Sequence, residues 1–235
     1  MDFSKILTDY PYTTELHAHS FPVSACGDFS PKEVVGFYKE AGVSSLTLTN
    51  HLNPRWIEGD PKERAKEYLA DYEAAIDAAD GSLNVILGIE IRFPENDNDY
   101  LVYGVSPDDV EHFISLIPYG IENFYKEAKT DKNIILQAHP LRKNMVLAPL
   151  GSIDGIESIN MHPKHHAKPS LAFKYAKENN LLVSGGSDFH HEGQHALCLM
   201  RTEEEMKNSF DVARILKSKT AIFDCMGHII IPYIY

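Results

Sequence analysis

The chain has 235 residues, 43% of them hydrophobic and 24% charged, the composition of an ordinary globular protein long enough to bury a full core. Its 22 Lys and Arg against 34 Asp and Glu leave a formal charge of −12. That argues against a general nucleic-acid or anionic-membrane surface, which needs clustered cations, but leaves open a small phosphorylated ligand held beside metal ions.

Cys26, Cys198 and Cys225 are an odd number with no C-x-x-C pair, so they do not read as a disulfide framework. Met1 to Tyr12 carries charges and no apolar signal core, and no apolar run reaches the length of a membrane span. No repeat or low-complexity linker divides the chain. Residues 1–235 therefore read as one domain, expected in the cytoplasm.

In chain order, a short strand-like stretch over 13–18 predicts a first strand. Ser30-Pro31-Lys32-Glu33 has capping-box spacing with Pro at the first helical position, and Gly42 closes that helix. A strand follows over 44–50. Asp60-Pro61-Lys62-Glu63 opens a longer helix ending near Gly81. Strands over 83–92 and 100–105, a helix opened by Ser106-Pro107-Asp108-Asp109, and strands over 133–138 and 155–161 come next. A helix over 169–179, a strand over 181–187 and a helix over 211–217 complete the series. The strands are mostly Val, Ile and Leu, as for strands covered on both faces, and their alternation with helices predicts a parallel α/β fold. The apolar tail Ile229-Ile230-Ile231-Pro232-Tyr233-Ile234-Tyr235 either packs on the body or joins a homo-oligomer interface.

The strands share one property: each of five delivers polar residues at its C-terminal end. The first delivers His17 and His19, which lie on one side of an extended chain. The second delivers His51, the third Glu90, the fifth His139 and the seventh Asp188 and His190. Any one of these histidines is ordinary; five strand ends behaving alike are not. In a parallel barrel all of them open on one face, where active sites sit. Five His and two carboxylates suit Zn, Mn or Fe better than Mg or Ca, and they exceed the four donors of one zinc ion. The pattern points to two or three divalent transition metals bridged by a carboxylate.

Leu16-His17-Ala18-His19, Thr49-Asn50-His51, Gly88-Ile89-Glu90, Ala138-His139-Pro140 and Gly186-Ser187-Asp188-Phe189-His190 resemble, in order, the motifs of the PHP family, the polymerase and histidinol phosphatase domains. The resemblance runs from about residue 13 to 195. It implies a distorted (β/α)7 barrel, TIM-like, with a di- or trinuclear metal site at the C-terminal ends of the strands. It also implies hydrolysis of phosphoesters by a metal-activated water. By motif, His17, His19, Glu90 and Asp188 would hold one metal, Glu90 and His139 a second, and His51 and His190 a third.

Two positions depart from the pattern. Family members often place another His or Asp shortly after H-x-H, where this chain offers Cys26 or Asp28. Asp99 stands where a His often precedes the strand at 100–105. Candidates for the substrate phosphate are Arg142 and Lys143, with Arg55, Arg92 and Lys164 also near strand ends. His162, His165 and His166 read as an entrance loop or proton donors, and Glu157 as a residue supporting the site through hydrogen bonds. His191 and His195 read as supporting or loop residues, and His112 and His228 as structural. The expected partner is a small phosphorylated substrate; histidinol phosphate, nucleotides, other monoesters and diesters all fit. A metal-dependent amidohydrolase or deaminase, and a non-catalytic metal-binding domain of the same family, are the alternatives.

Overall fold

The computed structural model of the protein describes residues 3–233, so Ile234 and Tyr235 of the apolar tail lie outside the described residues. Helix α1 (Phe3–Asp9) leads into β1 (Tyr12–Ala18), α2 (Pro31–Glu40), β2 (Ser45–Leu48) and β3 (His51–Leu52). Then come α3 (Pro61–Ala79), β4 (Asn84–Leu87), β5 (Ile89–Arg92), β6 (Asp99–Tyr103), α4 (Asp109–Leu116) and α5 (Gly120–Ala128). The chain continues through β7 (Ile134–Gln137), β8 (Gly155–Asn160), α6 (Pro169–Glu178), β9 (Leu182–Gly186), β10 (Leu199–Thr202), α7 (Ser209–Ser218), β11 (Ile222–Cys225) and β12 (His228–Ile230).

The start signals act as the sequence suggests. Glu33 accepts from the Ser30 backbone N–H at 2.9 Å, and the Asp60 carboxylate accepts from Lys62 and Glu63 N–H at 3.0 and 3.2 Å. Ser106 donates its N–H and hydroxyl to Asp109 at 2.7 and 2.8 Å, so the helix begins at Asp109.

The strands form two six-stranded sheets, ordered β12-β11-β10-β1-β2-β4 and β3-β5-β6-β7-β8-β9. β1, β2 and β4 run parallel, as do β3 with β5 and β7 with β8 and β9. The sheets meet at the site end of β1: Ala18 bridges Phe189 in parallel, with the His19 N–H on the Phe189 carbonyl at 3.1 Å and the Phe189 N–H on the His17 carbonyl at 3.2 Å. Gly88, between β4 and β5, lets the strand cross from one sheet to the other. A Cβ there would lie 2.7 Å from Thr47 Cγ2 and 2.8 Å from Thr49 Cγ2. The main core packs Ile86, Ile89, Leu101, Ile134, Ile135 and Leu136 with the helices that cover them, all fully buried.

Three expectations need correction. The fold is mixed rather than wholly parallel, because β6 runs antiparallel to both β5 and β7. The physical reason lies in residues 93–98, a turn-rich link too short for the crossover that a parallel neighbour requires. The strand predicted over 44–50 ends at Leu48, with a separate short strand β3 beginning just beyond it at His51, and that predicted over 83–92 divides into β4 and β5. Finally, α1, α5 and the antiparallel β10–β11–β12 meander were not expected: α5 has a clear helical periodicity, with Ile121, Phe124 and Ala128 on its buried face, whereas β10 has only four residues, one of them Arg201.

Candidate metal centre

The reversal of β6 has a chemical consequence. Its first residue, Asp99, falls opposite Arg92 at the end of β5, the same end to which β1, β3, β5, β7 and β9 deliver their polar residues. There His17, His19, Glu90, His139 and Asp188 are buried, and His51 and His190 are half-buried. Glu90 is central. Its Oε1 lies 3.3 Å from His17 Nε2 and 3.1 Å from His139 Nε2; its Oε2 lies 3.3 Å from His19 Nε2 and 3.0 Å from His51 Nδ1. Asp188 Oδ1 stands 3.4 Å from the same Nε2 atoms of His17 and His19, and 3.4 Å from His190 Nδ1.

Four overlapping sets of donors have their ligand atoms within 4.8 Å of one another. They are His17, His19 and Glu90; His17, His139 and Asp188; His51, Glu90 and Asp99; and His19, His51 and His190. His139 and Asp188 have φ of 30° and 55°, in the left-handed region that non-glycine residues adopt only in a minority of positions.

A second layer orients these side chains. Glu157, fully buried on β8, accepts from His17 Nδ1 at 2.8 Å and from the His139 N–H at 3.0 Å. Asn160 donates to Glu157 at 2.9 Å and to Asp188 at 3.2 Å. The proton that His17 shares with Glu157 leaves its Nε2 lone pair facing Glu90 and Asp188. His19 Nδ1 is 3.2 Å from Ser24 Oγ, which donates to Asn50 Oδ1 at 2.9 Å and accepts from the His51 N–H at 2.9 Å. Asp71 of α3 ties that loop down through Ser20 at 2.8 Å.

Glu15 was not singled out from sequence. It precedes His17 by two residues and so shares its face of β1, which is the signal that could have found it. Its buried carboxylate accepts from the His17 and Ser187 N–H groups at 3.0 and 2.9 Å and from the Tyr38 hydroxyl at 2.9 Å. It thereby joins the strand ends that carry H-x-H and Asp188. Burial raises the Glu15 pKa, and the donors from Ser187, His17 and Tyr38 oppose that rise.

The electrostatics are those of a site arranged for cations. Burial opposes charge on Glu90, but His51 and His17 outweigh it and hold the carboxyl well below its ordinary range. Burial likewise opposes charge on Asp188, and His17 with His19 and Arg142 overcome it. Burial disfavours a proton on His17, yet Asp188, Glu157 and Glu90 raise its pKa well above 6.5. His51 is raised against burial by Glu90 and Cys26, whereas burial and the neighbouring His190 and His51 push His19 well below 6.5.

The residues fit metal ions by a direct observation. The buried His17 Nε2, His19 Nε2 and Glu90 Oε2 make no hydrogen bond, although each faces nitrogen or oxygen atoms of the cluster at 3.0–3.4 Å. Unsatisfied buried polar atoms are costly, and three in one cluster of lone pairs suit a shared cation.

Above this floor opens a pocket of about 530 Å³. Its lining includes Arg92, Arg142, Lys143, His162, Lys164 and His165, together with Cys26. Of the two candidates after H-x-H, Cys26 lines the pocket with its thiol in contact with His190 and His51; burial opposes ionisation, but those contacts bring its pKa down to about 6. Asp28 instead accepts from His191 at 2.7 Å. Asp99 takes a bidentate pair from Arg92, at 2.7 and 2.6 Å, and lies 3.8 Å from His139. The Arg142 guanidinium is bonded to Asp188 and Asn160.

Arg55 turns away to the Val23 carbonyl and the Trp56 ring. His166 and His228 are exposed outside the pocket lining, and His195 packs on Phe37, 5.1 Å between ring centroids. Cys198 and Cys225 are buried between β10 and β11, and no helix among the described residues is long and apolar enough to cross a membrane.

Fold and cluster together define an α/β protein whose strand ends converge on a carboxylate-bridged group of histidines. The chain belongs to the PHP domain family, whose model matches residues 15–216. Among curated proteins no sequence matches it. Among solved structures it is similar to a two-domain Bacteroides vulgatus protein containing a predicted PHP-like metal-dependent phosphoesterase. The TM-score is 0.64 at 19% identity over 90% of this chain, which spans 64% of that protein. It is also similar to PsfC from Pseudomonas syringae, with TM-score 0.61 at 16% identity over 85% of this chain and 86% of that one. A third is an amidohydrolase from Chromobacterium violaceum with bound sulfate and no metal, with TM-score 0.54 at 16% identity over 94% and 98% of the two chains.

Proposed function

We propose that the protein is a metal-dependent phosphoesterase that hydrolyses a small phosphorylated substrate at a di- or trinuclear site. The observation that carries this reading is Glu90: one buried carboxylate within 3.3 Å of four imidazoles, with Asp188 completing the same cluster. Such a carboxylate suits a bridge between two cations. His17, His19, Glu90 and Asp188 would hold one ion. Glu90 and His139, with Asp99 beside them, would hold a second. His51 and His190 would hold a third, with Cys26 rather than Asp28 in reach. The mixed N, O and S donor set favours Zn, Mn or Fe.

Bound ions supply Lewis acidity toward the phosphoryl oxygens and acidify a water toward neutrality. The chain's own residues do the rest. Glu157 and Ser24 hold the imidazoles in the orientation that aims their free nitrogens into the site. Arg142 stands at the floor edge, where its guanidinium suits two phosphate oxygens. His162 is kept neutral by burial, its pKa near 4, and offers the leaving oxygen a hydrogen bond rather than a charge. We read the two sheets as halves of a distorted TIM-like barrel, a reading supported by the Ala18–Phe189 bridge and the strand that passes through Gly88.

The test is metal analysis of the purified protein followed by a phosphoester panel, run beside His17→Ala and Asp188→Ala. Wild type is expected to carry two or more transition metals per chain and to release phosphate. Each variant should lose at least about a hundredfold in rate, as expected when an interaction made in the transition state is removed. One metal or fewer, activity untouched by both substitutions, or ammonia released from amides in place of phosphate would contradict the reading.

A further inference from the structure

The pocket divides its charges by depth. Among its lining residues the carboxylates are Glu90, Asp99 and Asp188. All three are buried at the floor, and each is engaged, by imidazoles, Arg92 and Arg142 respectively. The mouth carries the opposite sign. Lys143, from the loop after β7, and Lys164, from the loop after β8, line the pocket and are exposed. Among the described residues neither ammonium group forms an ion pair, in a chain whose net charge is −12.

The loop bearing Lys164 is tied to the site and does not project freely. The Lys164 N–H donates to His162 Nδ1 at 3.2 Å, and the His162 ring packs 4.7 Å from His165 and 5.5 Å from His190, centroid to centroid. The two lysines therefore come from separate loops onto one opening, whose buried floor carries the candidate metal donors.

Resting on the phosphoesterase reading, we propose that the substrate carries a second anionic group, a carboxylate or a phosphate, beyond the ester that is cleaved, and that Lys143 and Lys164 bind it. The cleaved phosphate belongs to the floor, where the metal donors and Arg142 lie. A tail reaching the mouth meets two positive charges and no carboxylate. An amino-alcohol phosphate, with a cationic tail, is disfavoured by the same geometry.

The experiment uses the metal-loaded full chain and four monophosphate esters of one alkyl skeleton, ending in a neutral, ammonium, carboxylate or phosphate group. We expect kcat/KM about tenfold higher for an anionic tail than for the neutral one, the scale of one or two partly exposed ion pairs, and lowest for the ammonium tail. The preference should shrink in about 0.5 M salt, where screening reaches only a few ångströms. In K143A/K164A the ratio of anionic to neutral ester should fall close to one. Whichever anionic ester is better identifies the tail as carboxylate or phosphate. Equal rates for all tails, a preference for ammonium, or a double variant that slows every ester equally would overturn the proposal. Hydrolysis of none of the esters by protein carrying two or more metals would instead overturn the phosphoesterase reading on which it rests.

Discussion

Glu157 does not itself line the pocket, yet its one carboxylate fixes both the ring of His17 and the backbone of His139. Glu157→Gln keeps its volume and removes the charged acceptor. Metal affinity should fall about 10- to 100-fold, read by competition with a chelator, while the fold persists; unchanged affinity would show that the orientation of His17 does not depend on it. The raised pKa values of His17 and His51 give a second prediction. Both imidazoles hold protons above their ordinary 6.5, so metal must displace those protons. Affinity should therefore rise with pH and weaken as pH falls, with protons released on loading near neutrality. Calorimetry in buffers of different ionisation enthalpy measures that release, and a value of zero would contradict the assignment. At this scale sequence was informative where chemistry repeats: His17, His19, His51, Glu90, His139, Asp188 and His190 stand out because each falls at the end of a strand-like stretch. It was silent on the bonding roles of Ser20, Ser24, Asn50 and Asp71, because most of their bonds join residues 21 to 51 positions apart and leave no local pattern.

Between elements, the contact that matters most is β1 against β9. Gly186 allows it: a Cβ there would lie 2.5 Å from His17 Cβ and 3.0 Å from His17 N. Gly186→Ala should destabilise the protein by about 1–3 kcal/mol, as overpacking of a core does, and should also weaken metal binding through the displaced His17. Denaturant unfolding and metal titration of the variant check the two effects; a variant as stable as wild type would mean that β1 and β9 separate at little cost. Glu15 holds the same two strand ends from below. Glu15→Ala would strand the N–H groups of His17 and Ser187 and the Tyr38 hydroxyl, each a buried group costing about 1–3 kcal/mol unpaired. Thermal unfolding should show a loss larger than that of Gly186→Ala. The orientation of β6 was not legible, because hydrophobic runs reveal that a strand exists but not which way it points. Only the shortness of residues 93–98 hinted at the reversal that carries Asp99 to the site.

Across the whole molecule, the two sheets and their helices deliver to one end a cluster in which carboxylates and imidazoles crowd within 3.0–3.4 Å of one another. Ions that bind this cluster bind the folded chain and not the unfolded one. Chelation should lower the unfolding midpoint, by the equivalent of about 3 kcal/mol for free metal at a hundred times its dissociation constant. An unfolding curve indifferent to chelator would contradict this. The α/β class and the common end of the strands were legible in the sequence because buried strands are long apolar runs interrupted by polar ends. The β10–β12 meander was not, since its strands are three or four residues long and part polar.

The central claim is that Glu90 joins two metal ions. Anomalous diffraction at the absorption edge of the bound metal tests it most directly. The account predicts at least two peaks about 3.5–4 Å apart, one beside His17, His19 and Asp188 and the next beside His139, with a Glu90 oxygen bound to each. A single peak, or peaks that leave Glu90 without a metal, would contradict it.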